Sequence, residues 1–157
     1  MQNLESARAA VNGQTPEPPA GFQLLDCDPF MAPLGPFYTR AYGDGLLEIG
    51  VYADNRHGNK FGGVHGGMLA ALVDFALGMN ILADVRAQAR PAHLATVSLN
   101  VDYVSGAQTG EWLSVRPTID KREGRLRFCS CVVTADNERI VLRATAIMSA
   151  TPMKALA

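Results

Sequence analysis

The most informative pattern in the sequence is one long apolar stretch, flanked by segments in which apolar and polar residues alternate. From Gly66 to about Asp84 almost every position is apolar, so the segment lacks the polar side of a surface helix. A helix that is apolar all round has to be wrapped by other structure. The segment also contains an acid and is too short to span a bilayer comfortably. The pattern therefore predicts a buried central helix.

Segments with the pattern of β-strands lie on both sides of this helix. Two precede it, Phe37–Tyr42 and Leu46–Ala53, and the turn sequence Gly43-Asp44-Gly45 joins them as a hairpin. The four candidate strands after the helix are Leu94–Val104, Glu111–Lys121, Arg125–Asp136 and Arg139–Ala150. Their short connections require antiparallel pairing. The order predicts an α+β domain in which one antiparallel sheet of about six strands wraps around the helix.

The first strand after the helix has the most regular alternation. Strict alternation predicts two opposite faces along this strand. One face holds Val97, Leu99, Val101 and Tyr103, and the other holds Thr96, Ser98, Asn100 and Asp102.

The first 36 residues form a lead-in that is rich in proline and glycine, before a domain over residues 37–157. A short helix is possible from Leu4 to Val11, and after it helix- and strand-breaking residues are too frequent for regular structure. The lead-in also carries several large apolar residues, among them Phe22, Phe30 and Met31. We therefore expect it to pack on the domain surface or at a subunit interface.

Composition narrows the class of protein. The 157 residues, 48% hydrophobic and 18% charged, suit one compact domain. The formal net charge is −1, so the chain lacks the surplus of basic residues that is typical of a nucleic-acid-binding protein.

No signal peptide or membrane-spanning segment is evident, so we expect a cytoplasmic protein. The three cysteines, Cys27, Cys129 and Cys131, are expected to be free thiols, the last two on one face of a strand. No ligand spacing for a metal is present.

Asp74 is the unexpected residue, because it lies in the middle of the most apolar segment. A buried carboxylate has to be paired, shifted in pKa or placed on a cleft. It could mark a helix face that meets water or an arginine, or it could be a catalytic acid in a pocket. The segment begins with Val64-His65-Gly66-Gly67. Two glycines at a helix start allow a ligand to approach free N–H groups, which can stabilise an oxyanion, or they simply allow tight loop packing.

These residues together resemble a known family. The pattern is Asn59, two residues, Gly62, two residues, His65-Gly66-Gly67, and an acid nine positions after the histidine. It resembles the hotdog-fold thioesterases of the PaaI type, a group that includes thioesterase superfamily member 2 of animals. The resemblance covers roughly residues 37–150, and the predicted order of strands and helix agrees with that fold.

The resemblance implies a role for each matching residue in an acyl-coenzyme A thioesterase. Asp74 corresponds to the general base or nucleophile, and the N–H of Gly66 to the group that polarises the thioester carbonyl. His65 corresponds to the histidine beside that carbonyl. Asn59 corresponds to an amide that positions water or substrate. Thr96 corresponds to a strand hydroxyl that reaches the acid across a dimer interface.

The resemblance also implies the partners of the protein. Coenzyme A is part of the substrate, and neither a cofactor nor a metal is implied. Two subunits pair edge to edge, with active sites at the interface, and dimers often form tetramers. We include Gly67 among the substrate-binding residues. Arg122 and Arg125, in a basic turn, either contact the phosphates of coenzyme A or belong to an ordinary solvated hairpin tip.

Two other function classes stay open. The first is a non-catalytic hotdog protein that binds an acyl-coenzyme A or another apolar ligand, although pure binding needs no base at Asp74. The second is a structural dimer in which Asp74 forms an ion pair, for example with Arg143 or Arg86. The sequence does not decide between aromatic and fatty acyl groups.

Overall fold

One antiparallel sheet curves around a single long helix. The computed structural model describes residues 16–88 and 92–153. The helix, α1, spans Gly66–Ala87. The strands are β1 Gln23–Leu24, β2 Phe37–Tyr42, β3 Leu46–Tyr52, β4 Ala92–Tyr103, β5 Trp112–Lys121, β6 Leu126–Ala135 and β7 Arg139–Pro152. Two 3₁₀ turns lie at Ala32–Leu34 and Asn55–His57. The predicted helix from Leu4 to Val11 lies outside the described residues.

The sheet has the strand order β1-β2-β3-β5-β6-β7-β4, with every neighbouring pair antiparallel. This architecture confirms the predicted hotdog fold, with one strand more than the sequence pattern indicates. The additional strand is β1, which comes from the lead-in and pairs with β2. At the other end of the sheet, β4 pairs only with β7 among the described residues. The twelve-residue β4 is therefore an edge strand.

The helix forms the centre of the core, as predicted. Its buried residues include Leu72, Val73, Ala76 and Leu77, none of which is exposed. It is longer than predicted, with 22 residues, and is long and apolar enough to cross a membrane by length and composition. The prediction that this segment is too short to span a bilayer comfortably is therefore wrong. Its assignment as the core helix depends instead on its packing, since 56% of its most apolar window is buried inside the protein.

A β-bulge in β4 changes the predicted faces of that strand. The pairing with β7 shifts between Thr96 and Ser98, so Val97 has no counterpart and is 59% exposed. One extra residue reverses the alternation of side chains. Thr96 therefore faces the helix, on the same side as Leu99 and Tyr103. The predicted opposition of Thr96 and Tyr103 is wrong for this reason.

The described part of the lead-in packs on the domain surface, one of the two placements predicted for it. Its Phe22 lies edge-on against Trp112, with ring centroids 4.9 Å apart. The guanidinium of Arg56 donates to the carbonyls of Pro33 and Gly35, at 2.9 and 2.6 Å. The lead-in is thereby fastened to the loop that precedes α1.

His57 extends this connection to the start of the helix. It is 1% exposed, and its Nδ1 accepts from the N–H of Asp54 at 2.8 Å. Its Nε2 lies 2.7 Å from the carbonyl of Leu34, to which it donates. Its own carbonyl accepts from the N–H of His65 at 2.7 Å. The sequence pattern did not distinguish this buried histidine from a surface one.

The two cysteines of β6 face the core together, as predicted. Cys129 and Cys131 are free thiols that are 2% and 5% exposed. Burial raises the pKa of Cys129 from 9.0 to about 11, with smaller contributions from the charges of Asp120 and Asp74. Burial and the neighbouring Cys129 raise the pKa of Cys131 to about 12. Both side chains are therefore neutral thiols at physiological pH.

Candidate active site

The start of α1 presents one unpaired backbone donor. His65 is the N-cap, and its Nδ1 accepts from the N–H of Gly67 at 2.9 Å. The carbonyl of His65 accepts from the N–H groups of Met68 and Leu69, at 3.0 and 3.2 Å. The N–H of Gly66 has no acceptor among the described residues. It lies at the positive end of the helix dipole, where a negatively charged atom is stabilised.

The imidazole of His65 has a defined tautomer as a result. Since Nδ1 accepts a hydrogen bond, the proton of the neutral ring lies on Nε2. The His65 side chain is exposed.

The side chain of Asn59 holds the loop before the helix in its conformation through hydrogen bonds to the backbone. Its Oδ1 accepts from the N–H groups of Phe61 and Gly63, at 2.8 and 3.3 Å. Its Nδ2 donates to the carbonyl of Val64 at 3.3 Å. The carboxamide is therefore engaged with loop backbone on both sides. These three hydrogen bonds hold the segment that leads into His65. The contact of Asn59 with water or substrate stays a prediction.

Asp74 lies one third of the way along α1 and is half-buried. Its Oδ1 accepts a hydrogen bond from the Oγ1 of Thr96 at 2.7 Å. Its Oδ2 has no partner within the described ranges, and neither Arg86 nor Arg143 forms an ion pair with it there. The ion pair expected for a purely structural Asp74 is thus not found. Thr96 reaches Asp74 within one chain, not across a dimer interface as the resemblance implied.

Tyr103 is a neighbour of the helix start that the sequence pattern missed. Its hydroxyl donates to the carbonyl of Gly66 at 2.8 Å. A Cβ at position 66 would lie 3.3 Å from the Tyr103 ring, so this ring explains the lack of a side chain there. Strict alternation placed Tyr103 away from Thr96, and only the bulge in β4 brings both to the helix side.

These residues form two groups that are well separated along the helix. We name His65, Gly66 and Gly67 the donor half-site, and Asp74 with Thr96 the acid half-site. Eight residues separate Gly66 from Asp74, which corresponds to about 12 Å along the helix axis and about 80° around it. One thioester carbonyl is too small to contact both half-sites of the same chain.

The basic turn lies far from both half-sites within a chain. The Nη1 of Arg122 forms an ion pair with the Oδ1 of Asp84 at 2.5 Å, near the end of α1. The Nε of Arg125 donates to the Oγ of Ser149 at 3.3 Å. Asp84 is about 27 Å from Gly66 along the helix. The structure therefore does not bring Arg122 and Arg125 together with the donor half-site of their own chain.

Nothing in the described ranges assembles three or more histidine, cysteine or acidic side chains into a group that could hold a metal ion.

Comparison with known proteins gives consistent matches. The family model of the thioesterase superfamily matches residues 61–142, which include both half-sites. A candidate esterase of Pseudomonas aeruginosa, PA0474, is 34% identical over 130 residues, or 82% of this chain and 94% of that protein. Acyl-coenzyme A thioesterase 13 of Mus musculus is 33% identical over 81 residues, or 52% of this chain and 55% of that protein. The crystal structure of zebrafish thioesterase superfamily member 2 shares the fold, with a TM-score of 0.68 and 23% identity over 80% of this chain and 88% of that one.

Proposed function

The chain belongs to the thioesterase superfamily, and on this premise we propose that it hydrolyses acyl-coenzyme A thioesters to a free acid and coenzyme A. The mouse relative, whose name gives the same activity, supports coenzyme A as the thiol of the substrate. Coenzyme A is then a part of the substrate, and the reaction uses only side chains, backbone and water.

The observation that carries the proposal is the unpaired N–H of Gly66. Three of the first four N–H groups of α1 are bonded to His65, so Gly66 alone has a free donor. A thioester oxygen that accepts from it gains negative charge when the carbonyl carbon is attacked. The N–H and the helix dipole stabilise this oxyanion, and the Nε2–H of His65 lies on the exposed side as a second donor.

Asp74 supplies the base or the nucleophile for the same step. Thr96 holds Oδ1 and fixes the orientation of the carboxylate, which leaves Oδ2 for the reaction. As a general base, Oδ2 takes a proton from water while the water oxygen bonds to the carbonyl carbon. As a nucleophile, Oδ2 bonds to that carbon itself. In either route the C–S bond breaks and the thiolate of coenzyme A leaves. In the nucleophilic route water then hydrolyses the acyl–aspartate anhydride, which releases the free acid and restores the carboxylate of Asp74.

The separation of the half-sites supports a site shared between two chains. The free edge of β4 is long and carries exposed Val97 and Tyr103, features that a solitary edge strand normally avoids. We propose that two copies pair along β4 about a two-fold axis, which makes the two α1 helices antiparallel. The donor half-site of one chain then faces the acid half-site of its partner.

We also propose a location for the protein and a role for its basic turn. The free thiols of Cys27, Cys129 and Cys131 support a reducing compartment, so we propose the cytoplasm. In an assembly, Arg122 and Arg125 are candidates for the phosphates of a coenzyme A bound to another chain. A binder without catalysis is the second function, and it is favoured only if Asp74 proves dispensable.

The test is the release of coenzyme A thiol from aromatic, short, medium and long acyl-coenzyme A substrates. We expect Asp74→Asn to lower kcat by about 10²–10⁴ while the protein stays folded, because the amide neither accepts the proton nor attacks. Asp44→Asn makes the same change in the exposed β2–β3 turn and should leave kcat unaltered. Equal rates in Asp74→Asn and wild type would refute the assignment of Asp74. A folded wild type that hydrolyses no substrate would favour the binding function.

A further inference from the structure

Arg127 is a charged residue on the core side of the sheet. It is the second residue of β6, where the alternation places it on the same face as Cys129 and Cys131. It is only 3% exposed. A buried arginine normally has acceptors for its five N–H groups, because burial of an unpaired charge is costly.

The guanidinium of Arg127 lacks these acceptors. Its Nε and Nη1 are sealed from solvent and have no hydrogen-bond partner. Its Nη1 is 3.9 Å from the Oδ2 of Asp84, which is beyond hydrogen-bond distance. Asp84 is also shared, since Arg122 contacts its Oδ1 and the side-chain amide of Gln88 donates to its Oδ2 at 2.9 Å. Arg127 therefore keeps a charge that its neighbours neutralise only in part.

An open cavity of about 220 Å³ lies against this arginine, at the C-terminal end of α1. Most of its wall is aliphatic. The described residues that line it are Val85, Ala92, Gly124, Arg125, Arg127, Ala150 and Pro152. The Nη2 of Arg127, unlike its other two nitrogens, is not sealed, and the exposed Arg125 lies at the rim. The site thus combines two cationic groups with an apolar wall.

We propose that this cavity binds a small organic carboxylate, with its carboxylate on Arg127 and Arg125 and its hydrocarbon body against the aliphatic wall. The carboxylate accepts a charge-assisted hydrogen bond from the Nη2 of Arg127, the guanidinium nitrogen that is not sealed, and it offsets the charge that Asp84 neutralises only in part. The apolar wall favours a carboxylate with a hydrocarbon body over a phosphate. The volume is below the ~300–1,000 Å³ of typical drug-sized sites, which restricts the ligand to a small aromatic or short aliphatic acid.

The cavity is separate from the half-sites of its own chain. Val85 lies eleven residues after Asp74, about 16 Å along the helix. Binding there is therefore measurable with unreactive free acids and does not depend on thioester hydrolysis.

The test is a titration with 4-fluorobenzoate followed by ¹⁹F NMR, on the full-length protein. We expect Arg127→Met to weaken binding at least about tenfold, and Arg127→Lys to weaken it less, because the charge remains. Arg143→Met, the same substitution at an exposed arginine of β7, is the control and should bind as wild type does. Without ligand, Arg127→Met should unfold at the same or a higher temperature, since it removes a buried charge that is incompletely paired.

A second variant keeps the proposal testable if Arg127→Met does not fold. Ala150→Leu narrows the cavity and leaves the guanidinium in place, so it should also weaken binding of 4-fluorobenzoate. Binding that is unchanged in both Arg127→Met and Ala150→Leu would overturn the proposal. Tighter binding of inorganic phosphate or coenzyme A than of 4-fluorobenzoate, lost in Arg127→Met, would also overturn it and identify a phosphate site.

Discussion

At the scale of single residues, the proposed chemistry depends on which polar atoms are left without a partner. His65 occupies three N–H groups of the helix start and thereby singles out Gly66 as the free donor. Thr96 occupies one oxygen of Asp74 and leaves the other free. In both cases a neighbouring residue removes competing hydrogen-bonding options, so the free atom has a fixed position before substrate arrives.

Replacement of Gly66 by proline tests the free N–H directly. Gly66 is the first helical residue, where proline is well tolerated, and His65 already has the extended backbone that precedes a proline. We expect Gly66→Pro to lower kcat by about 10²–10³, the effect of losing one oxyanion donor. The rate of coenzyme A release and the melting temperature are the measurements.

Gly66→Ala is the matched control for this change. It adds the same Cβ, 3.3 Å from the Tyr103 ring, but retains the N–H. The alanine variant should therefore keep most of its activity. If alanine and proline reduce kcat equally, crowding against Tyr103 would explain the loss, and the assignment of the donor would be wrong.

The sequence identified the residues of the two half-sites but missed others that depend on three-dimensional contacts. A glycine pair at a helix start and an acid in an apolar helix are both visible as local patterns. The contacts of Tyr103 and Arg127 are not, since each joins a strand residue to a residue of α1 that is distant in sequence. The engagement of Asn59 with its own loop likewise becomes visible only when the loop backbone is known.

At the scale of elements, the helix and six strands were predictable because their polarity patterns are strong. Two features were not. The bulge at Val97 leaves no trace in a regular alternation, and it reverses the face on which Thr96 lies. The two-residue strand β1 is too short to have a periodicity, and it exists because β2 offers it an edge.

The two buried thiols of β6 predict how the stability of the fold changes at alkaline pH. Below the ordinary thiol pKa of 9.0, Cys129 and Cys131 are neutral in both folded and unfolded chains. As pH rises above 9.0, thiols of the unfolded chain ionise first, because burial raises the pKa of the folded thiols to about 11 and about 12. The stabilising contribution of these thiols is therefore lost as pH rises from 9.0 towards 11 and 12.

The measurement is the free energy of unfolding from about pH 8 to about pH 11. We expect wild type to lose on the order of 5 kcal/mol more over this range than a Cys129→Ala, Cys131→Ala double variant, because both shifted thiols contribute. Ser130→Ala, on the same strand, should follow wild type because it removes no titrating group. If the free energy of unfolding fell equally with pH in wild type and in the double variant, the prediction would be contradicted.

At the scale of the whole molecule, the proposed function requires two chains. The distance between Gly66 and Asp74 is set by helix geometry and does not change with side-chain rotamers. The free edge of β4 offers the surface on which a second copy can continue the sheet. Assembly is therefore a condition for a complete site in this proposal and not a means of added stability.

Mixed dimers test this arrangement. A purified heterodimer with Asp74→Asn in one chain and Gly66→Pro in the other should have roughly half of wild-type activity, although each homodimer is inactive. One of its two sites combines the intact Gly66 of the first chain with the intact Asp74 of the second. Heterodimers carrying two different affinity tags allow this species to be isolated and assayed.

A heterodimer as inactive as its parents would show that both half-sites act from one chain. A monomeric wild type with full turnover would contradict the shared site in the same way.

The position of β4 in the sheet has a consequence for synthesis of the protein. The only described neighbour of β4 is β7, the last strand that the structure describes. When a nascent chain has emerged from the ribosome as far as the end of β6, α1 and β4 are already outside. The strand with which β4 pairs, β7, has not yet emerged. Thr96 then has no fixed position beside Asp74. We expect catalytic competence to be acquired only after β7 has emerged from the ribosome, and a chain truncated before β7 to expose the apolar helix to chaperones and proteases.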